Sequence, residues 1–104
     1  MGRDRRVAVA GRIHRLSTTV NRTLAKLGVK PRTARHRALN ATMASLARAD
    51  ELPGPADFVA SFHPGYVHVR RVTGFNLWIL YRFDATFLDV VTVRDEPPPP
   101  IEQT

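Results

Sequence analysis

VTGFNLWILYRFD, residues Val72–Asp84, is the most apolar stretch of the chain, and its reading decides the fold. From Phe75 to Tyr81 only Asn76 is polar. A strand with one wet face alternates apolar and polar residues, so a run that is apolar at consecutive positions needs cover on both faces. Thr73-Gly74 precedes the run and Asp84-Ala85-Thr86 follows it, and links this short join antiparallel neighbours. The neighbours are Tyr66–Val72 (YVHVRRV) and Phe87–Arg94 (FLDVVTVR). The first alternates, with Val67 and Val69 on one side and Tyr66, His68 and Arg70 on the other. The second is expected to put Phe87, Val91 and Val93 on one face. Phe75–Phe83 is therefore predicted to be the middle strand.

Upstream the period changes. Ile13, Leu16, Val20, Leu24 and Leu27 recur at spacings of three and four, which predicts an amphipathic helix from about Arg12, with Arg15, Arg22 and Lys26 on its wet side. Gly28 is placed to end it in a left-handed turn. Pro31 suits the start of a second helix reaching to about Ala49, with Leu39, Met43 and Leu46 as its apolar stripe and many alanines beside them. Leu52-Pro53-Gly54-Pro55 stops that helix, and Asp57–Phe62 reads as a brief extended or irregular segment. Arg5–Ala10 alternates weakly and is expected to be a short first strand. The fold class that follows is α+β: a helical hairpin on one face of a small antiparallel sheet, in the order (β)ααβββ. Residues 1–96 are expected to form a single domain and 97–104 a proline-rich, extended and solvated tail.

The chain has 104 residues and a net charge of +7. Residues 1–50 carry twelve Lys/Arg against two Asp/Glu, and residues 51–104 carry four against seven, so the halves stand at +10 and −3. A basic half calls for an anionic partner, nucleic acid or an acidic protein. No cysteine is present, which excludes disulfides, thiolate chemistry and cysteine metal sites. His14, His36, His63 and His68 show no metal-ligand spacing, and there is no nucleotide-binding glycine motif, so no metal or cofactor is expected. No apolar run approaches the length that spans a bilayer or forms a signal-peptide core, which predicts a cytoplasmic protein without a membrane partner.

An Arg-bearing strand, a turn with Gly and an aromatic, a strand closing on Tyr-Arg, and a Val-rich last strand closing on Arg follow one another here as VRRVTGFNLWILYRF and VVTVRDEPP. With the exit from the second helix at Leu46 to Pro53-Gly54, this order resembles the RelE/ParE superfamily of bacterial type II toxins, over roughly Val7 to Pro97. The resemblance implies a growth-inhibiting toxin held in check by a cognate antitoxin. One branch of that superfamily cleaves mRNA in the ribosome, using basic side chains and a Tyr or His near the C-terminus. The other poisons DNA gyrase. Aligned on Tyr66 and Gly74, the strand lysines of the nuclease branch fall on Val67 and Val69, an Arg is replaced by Asn76, and no Tyr or His follows Arg94. The resemblance is thus nearer to the ParE branch, which implies a protein that is not an enzyme and whose target is DNA gyrase or another topoisomerase.

The residues expected to meet a target or the antitoxin are Arg70, Arg71, Trp78, Tyr81, Arg82 and Arg94. If Tyr81 packs inward, Arg82 is expected on the open face beside Arg70, and those arginines would form one basic surface. Trp78, the only tryptophan, shares its strand face with Arg82. Two alternatives stay open. One is a ribosome-dependent mRNA endonuclease with His68, Arg70, Arg71, Arg82 and Arg94 as its basic set. The other is a nucleic-acid-binding module whose basic hairpin contacts phosphates.

Overall fold

A computed structural model describes residues 11–101. In chain order the elements are β1 (Ile13–Leu16), α1 (Thr18–Lys26), α2 (Ala34–Arg48), β2 (Phe58–Ser61), β3 (Tyr66–Arg71), β4 (Trp78–Phe83) and β5 (Phe87–Arg94). The five strands form one sheet in the order β1-β5-β4-β3-β2. Short links make β2, β3, β4 and β5 successively antiparallel, and β1 runs parallel to β5 at the far edge, so the sheet is mixed where an antiparallel one was expected. The predicted middle strand is the third of five. It is shorter than expected, because Phe75–Leu77 form its approach: Phe75 N–H donates to Val72 O at 3.1 Å and Val72 N–H to Leu77 O at 2.8 Å.

The middle of β4, Ile79 to Tyr81, is fully buried on both faces, which is why it carries no charge. Ile79 and Tyr81 face the helices, in a core with Val20, Leu24, Leu39, Met43, Leu46, Leu88, Val90 and Val93. Leu80 faces the other way, fully buried among Ala60, Val67 and Val69, with Phe58, Phe62, Trp78 and Val91 around them. The expected grouping of Phe87, Val91 and Val93 does not hold. An irregularity of register at Leu80/Tyr81 pairs Leu80 with Thr92 and Tyr81 with Val90, leaving Val91 extra. Such a bulge shifts the alternation by one residue, so Leu88, Val90 and Val93 all reach the helix-side core while Val91 joins the far side.

The N-terminal part departs from the sequence reading. Ile13–Leu16, expected inside the first helix, is an edge strand, and Ile13 and Leu16 stand 58% and 48% exposed. Ser17 is the reason the helix starts later: its backbone is extended and its side chain accepts from Thr19 N–H, capping α1. Gly11 brings the strand in: its φ of 95° is open to glycine, and a Cβ there would strike the backbone of Ala47 in α2. The strand expected at Arg5–Ala10 lies outside the described residues. Gly28, at φ 73°, ends α1 as predicted, its N–H donating to Ala25 O. Thr33 caps α2 through His36 N–H, so the second helix begins after Pro31 rather than at it.

The proline segment is not a solvated end. Pro98 is buried, Pro100 bridges Ala60 antiparallel, and Ile101 N–H donates to Val59 O at 2.9 Å. Leaving β5 at Arg94, the chain crosses the width of the sheet and closes the outer edge of β2, a position where an unpaired strand invites association. A chain ending at Glu96 is expected to lose about 1–3 kcal/mol of unfolding free energy, from the lost burial and edge hydrogen bonding. It is also expected to self-associate with rising concentration; denaturant unfolding and light scattering measure the two effects.

Candidate functional site

The sheet sorts the predicted site residues onto two faces, because directly opposed residues share a face and successive ones do not. His68, Arg70 and Tyr81 lie on the helix side; Arg71, Trp78, Arg82 and Arg94 lie on the other. The single basic surface expected from Arg70 and Arg82 together is therefore not formed.

On the helix side the organising group is Asp57, which the sequence reading left without a role. Its carboxylate has no exposed surface. Arg70 donates through Nε to Oδ1 at 2.6 Å and through Nη2 to Oδ2 at 2.9 Å. Gly54 N–H donates to Oδ2 at 2.9 Å, and the Tyr81 hydroxyl also donates to Oδ2. Burial, and then the hydrogen bond to Asp57, push the Tyr81 hydroxyl far above its usual ionisation range, so it stays a donor. The same pairing holds the Arg70 guanidinium more firmly protonated than usual. His68 stacks at the edge of this knot, its ring centroid 5.6 Å from Tyr81 and 5.3 Å from Phe83. Its Nδ1 is buried and has no hydrogen-bond partner among the described residues. The signal for Asp57 was present in the sequence: a Tyr facing the core needs an acceptor, and Asp57 is the acidic residue just before the strand that pairs with β3.

On the far face Arg71, Trp78 and Arg94 form a row across β3, β4 and β5, since Trp78 lies opposite Arg71 on one side and Arg94 on the other. The Arg71 guanidinium sits 5.5 Å from the Trp78 ring centroid, within cation–π range. Arg71 is steadied by Phe75 O through Nε at 3.2 Å and by Asn76 Oδ1 through Nη2 at 3.4 Å. Arg71 and Arg94 are exposed and Trp78 is half-buried. A cleft of about 480 Å³ opens beside this row, lined by Pro55, Ala56, Arg70, Arg71, Thr73 and Gly74. Arg70 reaches it from the other side of the sheet, so two guanidiniums, each already oriented by the protein, border one space. Arginines held this way lose little side-chain entropy when they bind a carboxylate or phosphate.

Arg82 is committed elsewhere. It donates through Nε to Tyr66 O at 2.9 Å and through Nη2 to Phe62 O at 2.9 Å and Pro64 O at 2.8 Å, which ties the β2–β3 turn to β4. At the β1 end of the same face Arg15 pairs with Asp89 through Nε at 2.6 Å and lies 3.6 Å from the Phe87 ring centroid. That pair lies across the parallel β1–β5 pairing and was not foreseen in the sequence, because its partners are 74 residues apart. Among the described residues no group of three or more His, Cys, Asp or Glu side chains is placed to hold a metal ion, and no helix is long and apolar enough to cross a membrane. Comparison with protein-family models, with curated proteins and with solved structures finds no match for the chain.

Proposed function

We propose that this protein is the toxin of a bacterial type II toxin–antitoxin pair, ParE-like in action, which inhibits DNA gyrase or a related topoisomerase by binding and is neutralised by a cognate antitoxin. The reading rests on the resemblance carried by VRRVTGFNLWILYRF and VVTVRDEPP, and the observed order β-α-α-β-β-β-β, which keeps the helical hairpin ahead of the three C-terminal strands, is compatible with it. The observation that favours binding over RNA cleavage is the separation of the nuclease candidates. His68 and Arg70 are on one face of the sheet and Arg71, Arg82 and Arg94 on the other. Arg70 is held by Asp57, and Arg82 by three carbonyls. General acid–base cleavage needs its groups within hydrogen-bond reach of one phosphate, and these five do not meet around one point. The far face instead offers an aromatic flanked by two cations, the composition of a protein-binding hot spot.

The test is a supercoiling assay with purified gyrase and topoisomerase IV, alongside primer extension on cellular mRNA after induction. Inhibited supercoiling, restored by the antitoxin, with intact mRNA is the expected result. Normal topoisomerase activity together with cuts inside translated codons would establish the endonuclease instead.

A further inference from the structure

Residues 11–49 contain nine Lys/Arg and no Asp or Glu. Five of those cations, Lys26, Lys30, Arg32, Arg35 and Arg37, fall within one turn of chain that closes the helical hairpin, from the last residue of α1 to the first turn of α2. We propose that this hairpin tip is a binding surface for the phosphate backbone of duplex DNA, separate from the Arg71–Trp78–Arg94 face on the other side of the sheet.

The local structure gathers the charges. Arg35 Nη1 donates to Leu27 O at 3.4 Å, which brings the start of α2 against the end of α1. Arg37 Nη1 donates to Arg32 O at 3.0 Å, and the Thr33 hydroxyl to Lys30 O at 2.7 Å. Arg32 has a φ of 69°, a left-handed conformation uncommon for arginine, and its side chain is exposed. Lys26, Lys30 and Arg37 are exposed as well. Like charges crowded on a short turn repel one another, and no acidic side chain of the hairpin offsets them. A polyanion that neutralises several at once relieves that repulsion and releases its own counterions.

Duplex nucleic acid fits this surface better than an acidic protein does. A protein interface needs apolar anchors at its centre. The exposed large hydrophobics among the described residues are Ile13, Leu16 and Tyr66, and none lies on the hairpin. Single strands are bound through stacking on aromatic rings, and residues 18–48 contain no Phe, Tyr or Trp. What the tip offers is charge alone, which suits the evenly spaced phosphates of a duplex. The choice of DNA over RNA rests on the topoisomerase reading above.

The experiment measures binding of the full chain to a short DNA duplex by fluorescence anisotropy, with no topoisomerase present, so its outcome is independent of the supercoiling assay. Engaging about four phosphates gives a log–log salt slope near −3.6 and roughly a hundredfold loss of affinity between about 50 and 200 mM salt. Lys30→Gln with Arg32→Asn, asparagine being tolerant of the left-handed conformation, is expected to reduce the slope by about 1.8 and the affinity at low salt at least tenfold. Lys30→Arg with Arg32→Lys keeps the charge and is expected to keep the affinity. Arg71→Gln with Arg94→Gln removes the same charge from the opposite face and is expected to change DNA affinity less than threefold. Equal losses from the two double variants would mean that only net charge matters and would overturn the proposal. So would salt-insensitive binding, a preference for duplex RNA, or tight binding of an acidic polypeptide in place of DNA.

Discussion

Asp57→Ala is expected to destabilise the fold by about 3–5 kcal/mol, the cost of breaking a buried ion pair from one side. The carboxylate is fully buried and accepts from Arg70 twice, from Tyr81 and from the Gly54 backbone. Removing it strands a partly buried guanidinium and a buried hydroxyl between β2, β3 and β4, and it frees the loop before β2. Asp57→Asn keeps one acceptor and is expected to lose less. Equilibrium unfolding in urea measures both; a loss below about 1 kcal/mol for alanine would mean that the knot is solvated in solution.

The same knot predicts an alkaline limit. The Tyr81 hydroxyl is raised in the folded protein, chiefly by burial, while in the unfolded chain it ionises near its ordinary value of about 10. Above that value the unfolded state gives up the proton and the native state keeps it, so unfolding binds fewer protons and stability falls as pH rises. The contribution is fully present below pH 10 and declines above it by about 1.4 kcal/mol per pH unit from this group. In Tyr81→Phe this alkaline slope is expected to disappear while the loss at neutral pH stays near 1–2 kcal/mol.

The second large effect concerns the far face. Under the proposed function, Trp78→Ala is expected to weaken binding of the proposed topoisomerase target, and of the proposed antitoxin if it covers the same face, by about 30- to 1000-fold, the range of a central aromatic hot spot. Trp78 also packs beside Val69 and Leu80, so the alanine variant loses some stability too. Arg71→Ala with Arg94→Ala separates the two effects, because both side chains are exposed and neither belongs to the core. This double variant is expected to fold normally by circular dichroism and to lose about tenfold or more in affinity. Trp78 is the only tryptophan, so its fluorescence reports on this face directly. An emission spectrum unchanged on saturating the protein with gyrase or antitoxin, together with full affinity in the double variant, would remove the far face from the mechanism.

Much of the architecture was legible in short-range pattern. The apolar run at β4, the turns at Thr73-Gly74 and Asp84-Ala85-Thr86, the Leu39/Met43/Leu46 stripe and Gly28 each carry their meaning within a few residues, because helix and strand periods and turn sterics are local. That Tyr81 and Arg82 take opposite faces followed from the same alternation; which of them points inward was decided by packing. What local pattern missed came from interactions between residues distant in the chain. Ile13 and Leu16 have helical spacing, yet Ser17 caps the helix after them and β5, more than seventy residues on, recruits them as a parallel strand. The extra residue at Val91 exists only in the register between two strands, and so the face of Val93 was read the wrong way. Pro97–Pro100 looks like a free tail until β2 supplies the edge it closes.

The arginines show the division most plainly. Sequence established by itself that the chain is basic, that its basic half is N-terminal, and that Arg70, Arg71, Arg82 and Arg94 stand on or beside the central strands. Their work was decided by tertiary structure, because a guanidinium is placed by whichever acceptor meets it. Asp57 took Arg70 into the interior, three turn carbonyls took Arg82, and Trp78 kept Arg71 on the surface with Arg94 on its other flank. An alternating strand determines which way a side chain points, but only the packed chain determines what it finds there.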